Sequence, residues 1–160
     1  SLQPLKVGKL ADALYVAKLL AYAQGMQLIK TGSEAHQWDI RPDLPLRAWT
    51  GGCIIRARLL NDLISAYEEH GQQTNLFVVS AFTELIRQKQ QSLREVVAYG
   101  LQNGIALPAF SASLVWLALV SSEQLPTNLT QAQRDAFGAH GFKKIDDHED
   151  GIHHGDWLKP

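Results

Sequence analysis

Arg134 and His140 carry the side chains best suited to chemistry here; they lie six positions apart in Gln131-Ala132-Gln133-Arg134-Asp135-Ala136-Phe137-Gly138-Ala139-His140. A guanidinium presents a planar fork of donors that matches a phosphate, and an imidazole gives or takes a proton near neutral pH. On an unbroken helix six positions turn the chain by about 600°, leaving the two side chains roughly 120° apart. Gly138 changes this. A helix that ends there can turn and bring His140 back toward the space Arg134 faces, giving a compact pair for anion and hydroxyl recognition. An arginine on a helix surface and a histidine in the next loop also suit a merely exposed polar surface, so the spacing alone leaves both readings open.

Two other groups of residues invite chemistry and carry less of it. Cys53 is the one cysteine; it cannot form an internal disulfide, and after Gly51 and Gly52 in an apolar setting it reads as a packing residue in a reducing compartment. The tail holds Asp146, Asp147, His148, Glu149, Asp150, His153, His154 and Asp156, which are metal-ligand types. No rigid helix sets their geometry, and adjacent His153 and His154 would point in different directions, so a solvated tail or docking arm is expected and no metal site. The chain has no G-x-G-x-x-G, P-loop, paired C-x-x-C or H-E-x-x-H, and hence no strand-loop-helix device for a dinucleotide.

These side chains must be held by a chain of 160 residues, 46% hydrophobic and 19% charged, enough for one domain with its own core. The formal net charge of −1 gives no field for nucleic acid or anionic lipid. Apolar runs such as 112–120 fall short of the roughly 20 residues of a membrane span. A cytoplasmic protein without nucleic-acid or membrane partners is expected.

Helical spacing dominates. Over 7–30, Leu10, Leu14, Ala17, Ala21 and Leu28 form one stripe and Ala13, Val16, Leu20 and Ala23 a second, which implies burial on both sides. Pro42 and Pro45 make 38–49 read as a connector, after which Gly51 and Gly52 open a helix over 53–70. Its face is Ile55, Leu59, Leu63, Ala66 and Tyr67, with Gly71 as a left-handed cap. The run 76–79 has strand-like content but continues at helical spacing into Phe82, Leu85 and Ile86, and is read as helix. Ser92 with Glu95 has the spacing of a capping box that starts a helix, which Gly104 closes after Asn103. Pro108 begins a helix to about 120, and Asn128 caps one ending near Phe137. The expectation is an all-α fold of six or seven helices.

The segment 131–140 closely resembles the signature near the end of 6-phosphogluconate dehydrogenases. It is joined in that family's order by Tyr22-Ala23-Gln24-Gly25, by Gly51-Gly52-Cys53-Ile54-Ile55-Arg56, by Asn103-Gly104-Ile105 leading to Pro108-Ala109-Phe110-Ser111, and by Leu125-Pro126 before Asn128-Leu129. Nearly the whole chain is covered. The sequence departs from the family pattern at Thr50, commonly arginine, and at Ala136, commonly tyrosine, and His153 stands where a phenylalanine is usual.

The resemblance implies the second half of the family's large helical domain over 3–145, with a tail over 146–160 that docks on the partner subunit of a homodimer. It implies a parent enzyme that oxidises 6-phosphogluconate at C3 and decarboxylates it to ribulose 5-phosphate while reducing NADP. Arg134 would meet the substrate's phosphate and His140 assist its binding, both in the partner's active site. The family's catalytic lysine and glutamate, and its nucleotide-binding domain, would precede this segment, so no catalytic residue is expected here and no turnover from this piece alone. Two other classes remain to be weighed: a helical interaction module with no ligand, and a metal-binding tail built on His148, His153 and His154.

Overall fold

The computed structural model describes residues 4–71, 76–146 and 151–157. The chain divides after Leu117 into two compact units. The first is built on two long helices, α1 (Val7–His36) and α4 (Ser80–Gln102). Between them come α2 (Asp43–Thr50), α3 (Leu59–His70) and a single 3-10 turn at Leu76–Val78; α5 (Pro108–Val120) follows, its last three residues lying past the division. The helices α1 and α4 pack antiparallel, as the ion pairs Lys9–Glu95 and Asp12–Lys89 show.

Periodicity explains their seam. Ala13, Val16, Leu20 and Ala23 of α1 are buried, and α4 offers Phe82, Ile86, Leu93 and Val97, spaced so that one face of a 3.6-residue helix turns inward. Only the second of the two expected α1 stripes lies inside. Of the first, Ala17 is buried, whereas Leu10, Leu14 and Leu28 face solvent. The helix also runs six residues past the expected end at 30, to a left-handed cap at Gln37.

Three local expectations are corrected. The stretch 38–49 is not all connector: α2 forms because Pro42 occupies the cap and Pro45 the third helical position, where an amide has no intrahelical acceptor to lose. Its first residue, Asp43, is wholly buried; Arg41 Nη2 and Arg47 Nε each donate to its Oδ2 at 2.8 Å, and the Arg47 bond above all keeps its carboxyl below the usual range. Next, α3 starts at Leu59 rather than 53, since the carbonyl of Ile55 accepts the Tyr22 hydroxyl instead of opening a helical ladder. Finally, Ser92 starts nothing. It lies inside α4, and the Glu95 carboxylate that would have completed the box pairs with Lys9.

Of the other stops, that at Gly104 is as expected, and the left-handed cap expected at Gly71 is not what forms. The Ile105 amide reaches back 2.8 Å to the Gly100 carbonyl across Gly104, which closes α4. Gly71 ends α3 with φ 89° and ψ 158°, a region open to glycine but outside the left-handed helical basin. Beyond the division stand α6 (Asn128–Gly138) and an irregular tail joined to the loop after α6 by one antiparallel bridge, Phe142 with His153. With six α-helices and no strand among the described residues, the fold is all-α. No helix among them is long and apolar enough to cross a membrane.

Candidate functional site

In the second unit α6 carries Arg134 and ends at Gly138, and Ala139 takes a left-handed conformation that turns the chain. The His140 ring then lies back over the helix: a Cβ on Gly138 would come 2.8 Å from its Cδ2 and Nε2. Position 138 is four residues beyond Arg134, so the two share one helix face. The turn that the sequence allowed is the turn that forms. Arg134 is exposed and makes one hydrogen bond, from Nη1 to Gln131 Oε1 at 3.4 Å. Gln131 and His140 both line an open hollow of about 740 Å³ whose wall also includes Asn128, Phe142 and Lys143. The wall is of mixed character, with Leu125 and Ile152 beside Gln131, Lys143 and His140; an exposed guanidinium on the same helix as Gln131 can receive a phosphate, and the imidazole a hydroxyl of the chain attached to it.

Holding this arrangement is Asp135, which the sequence reading passed over. It is the buried residue of α6, 5% exposed, and it binds along both carboxylate oxygens. Oδ1 accepts the Gly141 amide at 2.9 Å and lies 2.6 Å from His154 Nδ1. Oδ2 accepts the Gly155 amide at 2.8 Å and the Trp157 indole Nε1–H at 2.6 Å. The Gly155 amide above all, then the indole, His154 and the Gly141 amide, hold the Asp135 carboxyl far below the ordinary carboxylate range.

Two glycines make room for it. Gly141 has φ 69°, and a Cβ there would meet Ile152 Cγ2 at 2.2 Å and the His153 carbonyl at 3.2 Å. A Cβ on Gly155 would fall 2.2 Å from the Trp157 ring. The signal for this hub was present as a carboxylate within a helix followed by Gly141, Gly155 and Trp157, but a pairing across 20 residues leaves no local pattern.

The adjacent histidines diverge as expected. His154 faces Asp135, while the His153 ring packs 6.3 Å from that of Phe142. Of the metal-ligand reading, His148 lies outside the described residues; among those described, no cluster of three ligand-type side chains could hold an ion. Cys53 is half-buried in the turns before α3. No strand leading into a glycine-rich loop occurs among the described residues.

Residues 4–157 match the family model for the C-terminal domain of 6-phosphogluconate dehydrogenase. The chain is 41% identical over 152 residues to the decarboxylating 6-phosphogluconate dehydrogenase of Escherichia coli strain K12, covering 95% of this chain and 32% of that protein. With the enzyme of the same description from Salmonella typhimurium it shares 40% over 153 residues, again 32% of the relative. It thus spans about a third of the length of these relatives. Among solved structures, the Plasmodium falciparum 6-phosphogluconate dehydrogenase, described in its apo form and in complex with its cofactor NADP+ and its substrate 6-phosphogluconate, superposes with a TM-score of 0.86 at 38% identity. That match covers 98% of this chain and 34% of the other.

Proposed function

The chain belongs to the 6-phosphogluconate dehydrogenase family, as its C-terminal domain, and from that premise we propose that it supplies substrate-binding and dimerisation elements to an NADP-dependent oxidative decarboxylation of 6-phosphogluconate. The product would be ribulose 5-phosphate. Arg134 binds the sugar's phosphate and His140 its hydroxyl-bearing chain, in a site completed by the partner subunit of a cytoplasmic homodimer. NADP is bound by other parts of the protein. The C3 oxidation and the loss of carbon dioxide rely on a general base and acid outside this segment, so this piece alone binds without turnover.

The observation that carries this reading is the return of the His140 ring over Gly138, on the face of α6 that bears Arg134. Support for an interface comes from apolar side chains left in solvent in the same unit: Leu129 is 80% and Phe137 88% exposed. Apolar side chains left in water are available for a partner to cover. Residues 3–145 then act as the helical domain and 146–160 as the tail that docks on the partner.

The test is made in the full-length enzyme carrying this chain. A charge-assisted hydrogen bond contributes roughly 1.5–3 kcal/mol, so Arg134→Ala should raise the KM for 6-phosphogluconate by tens-fold and leave that for NADP nearly unchanged. His140→Ala should raise the same KM and also lower kcat, because orientation of the reacting carbon is lost. A dimeric Arg134→Ala enzyme with an ordinary KM for 6-phosphogluconate would refute the assignment.

A further inference from the structure

We propose that Asp135 is a positioning residue for substrate recognition, its buried carboxylate fixing the turn that carries His140 and fastening the tail residues His154, Gly155 and Trp157 to that turn. The inference rests on the reading that Arg134 and His140 meet the sugar phosphate, and it goes beyond it by naming what holds them in place.

Both ends of the His140 turn are tied to this one residue. The Ala139 amide donates to the Asp135 backbone carbonyl at 2.8 Å, and the Gly141 amide donates to its Oδ1 at 2.9 Å. His140 sits between the two anchors. Its ring therefore has little freedom other than rotation about its own side-chain bonds, and the ring rests on Gly138.

A carboxylate at this place is unexpected on local grounds. Negative charge in the last turn of a helix opposes the macrodipole. Here the opposition is offset by donors from two distant segments, and only an ionised carboxylate offers acceptors on both oxygens. Asparagine has the same shape but would turn an amide N–H₂ toward one pair of donors. The tail is thus part of the device: Gly155 and Trp157 occupy Oδ2, His154 shares Oδ1 with Gly141, and Trp157 also packs against Phe142, with ring centroids 6.2 Å apart.

The experiment compares Asp135→Asn, Trp157→Phe and the reference variant Arg134→Ala in the full-length enzyme, each checked for dimer mass and far-ultraviolet circular dichroism. Asp135→Asn should raise the KM for 6-phosphogluconate by roughly tenfold to a hundredfold, as expected when a contacting group is misplaced, with the KM for NADP changed less than about twofold. Trp157→Phe keeps an aromatic ring, smaller than the indole, and removes one donor, so it should show the same selective rise at a few-fold. If Arg134→Ala impairs 6-phosphogluconate binding and a folded, dimeric Asp135→Asn does not, the positioning role is wrong while the site assignment stands. Should Arg134→Ala have no effect either, the site assignment itself fails and takes this inference with it. Should Asp135→Asn fail to fold, Trp157→Phe decides: a rise confined to 6-phosphogluconate supports the role, and no change or equal change in both constants overturns it.

Discussion

In α4 the side chains withdrawn from solvent are Phe82, Ile86, Leu93, Val96 and Val97; in α6 the one withdrawn is the carboxylate of Asp135, while Leu129 and Phe137 stand in water. The first helix is held by apolar burial, which is nondirectional and tolerant of small shifts. The second is held by four directed donors on one acidic group, which fix orientation far more tightly than they resist unfolding. That difference suits a scaffold in one case and a recognition element in the other.

The comparison can be broken first in the core. Leu93 has no solvent exposure, and Leu93→Ala should cost about 2–5 kcal/mol, read as a lowered midpoint in chemical denaturation. A loss under about 1 kcal/mol would mean that α4 does not carry the fold.

Acid should strike the other unit. The Asp135 carboxyl titrates below its unfolded value of about 3.9, so folding favours its ionised form. Its contribution is fully present above that value and is lost as pH falls through the lower native range. The Trp157 indole N–H should therefore exchange faster with solvent as pH drops below about 4, relative to its intrinsic rate, before the amides of α4 do. Protection of the indole N–H that is unchanged as pH falls from 5 to 2 would contradict the hub.

Gly138→Ala separates stability from recognition. Alanine favours a helix by about 1 kcal/mol over glycine, and residue 138 has helical geometry, yet the new methyl would meet the His140 ring at 2.8 Å. The variant should melt no lower than the parent and show a several-fold higher KM for 6-phosphogluconate. Unchanged KM would place the working position of His140 elsewhere. The smallest change in stability should come from Phe137→Ser, within about 0.5 kcal/mol for the isolated chain as for other exposed sites. Analytical ultracentrifugation of the full-length protein should nonetheless show a weaker dimer.

What could be read in advance follows the same divide. The apolar spacing of α1 and α4 is repeated often enough to survive local ambiguity, and Gly104, Pro108 and Gly138 punctuate the chain where expected. The misreadings occurred where a local pattern has two meanings. Ser92 and Glu95, three apart, are as compatible with a helix interior as with a helix start, and only Lys9, distant in sequence, shows which applies. Pro45 forbids a helix interior but not a first turn. Asp135 could not be found this way at all, because its partners at 141 and 154–157 make no periodic pattern with it. Gly138 was legible as the point where the chain turns back, whereas the roles of Arg134 and His140 came from the family resemblance and from nothing in the local spacing.

The most direct measurement of the central claim is the preference of the full-length enzyme for 6-phosphogluconate over gluconate, which differs only in lacking the phosphate, in the parent and in Arg134→Ala and Arg134→Lys. If Arg134 meets the phosphate, the ratio of the two kcat/KM values should fall by tens-fold in the alanine variant, since roughly 1.5–3 kcal/mol per charge-assisted bond is lost for one substrate and not the other. Lysine should restore only part of it, having the charge without the planar fork. A ratio left at its parental value in a folded, dimeric Arg134→Ala enzyme would contradict the account.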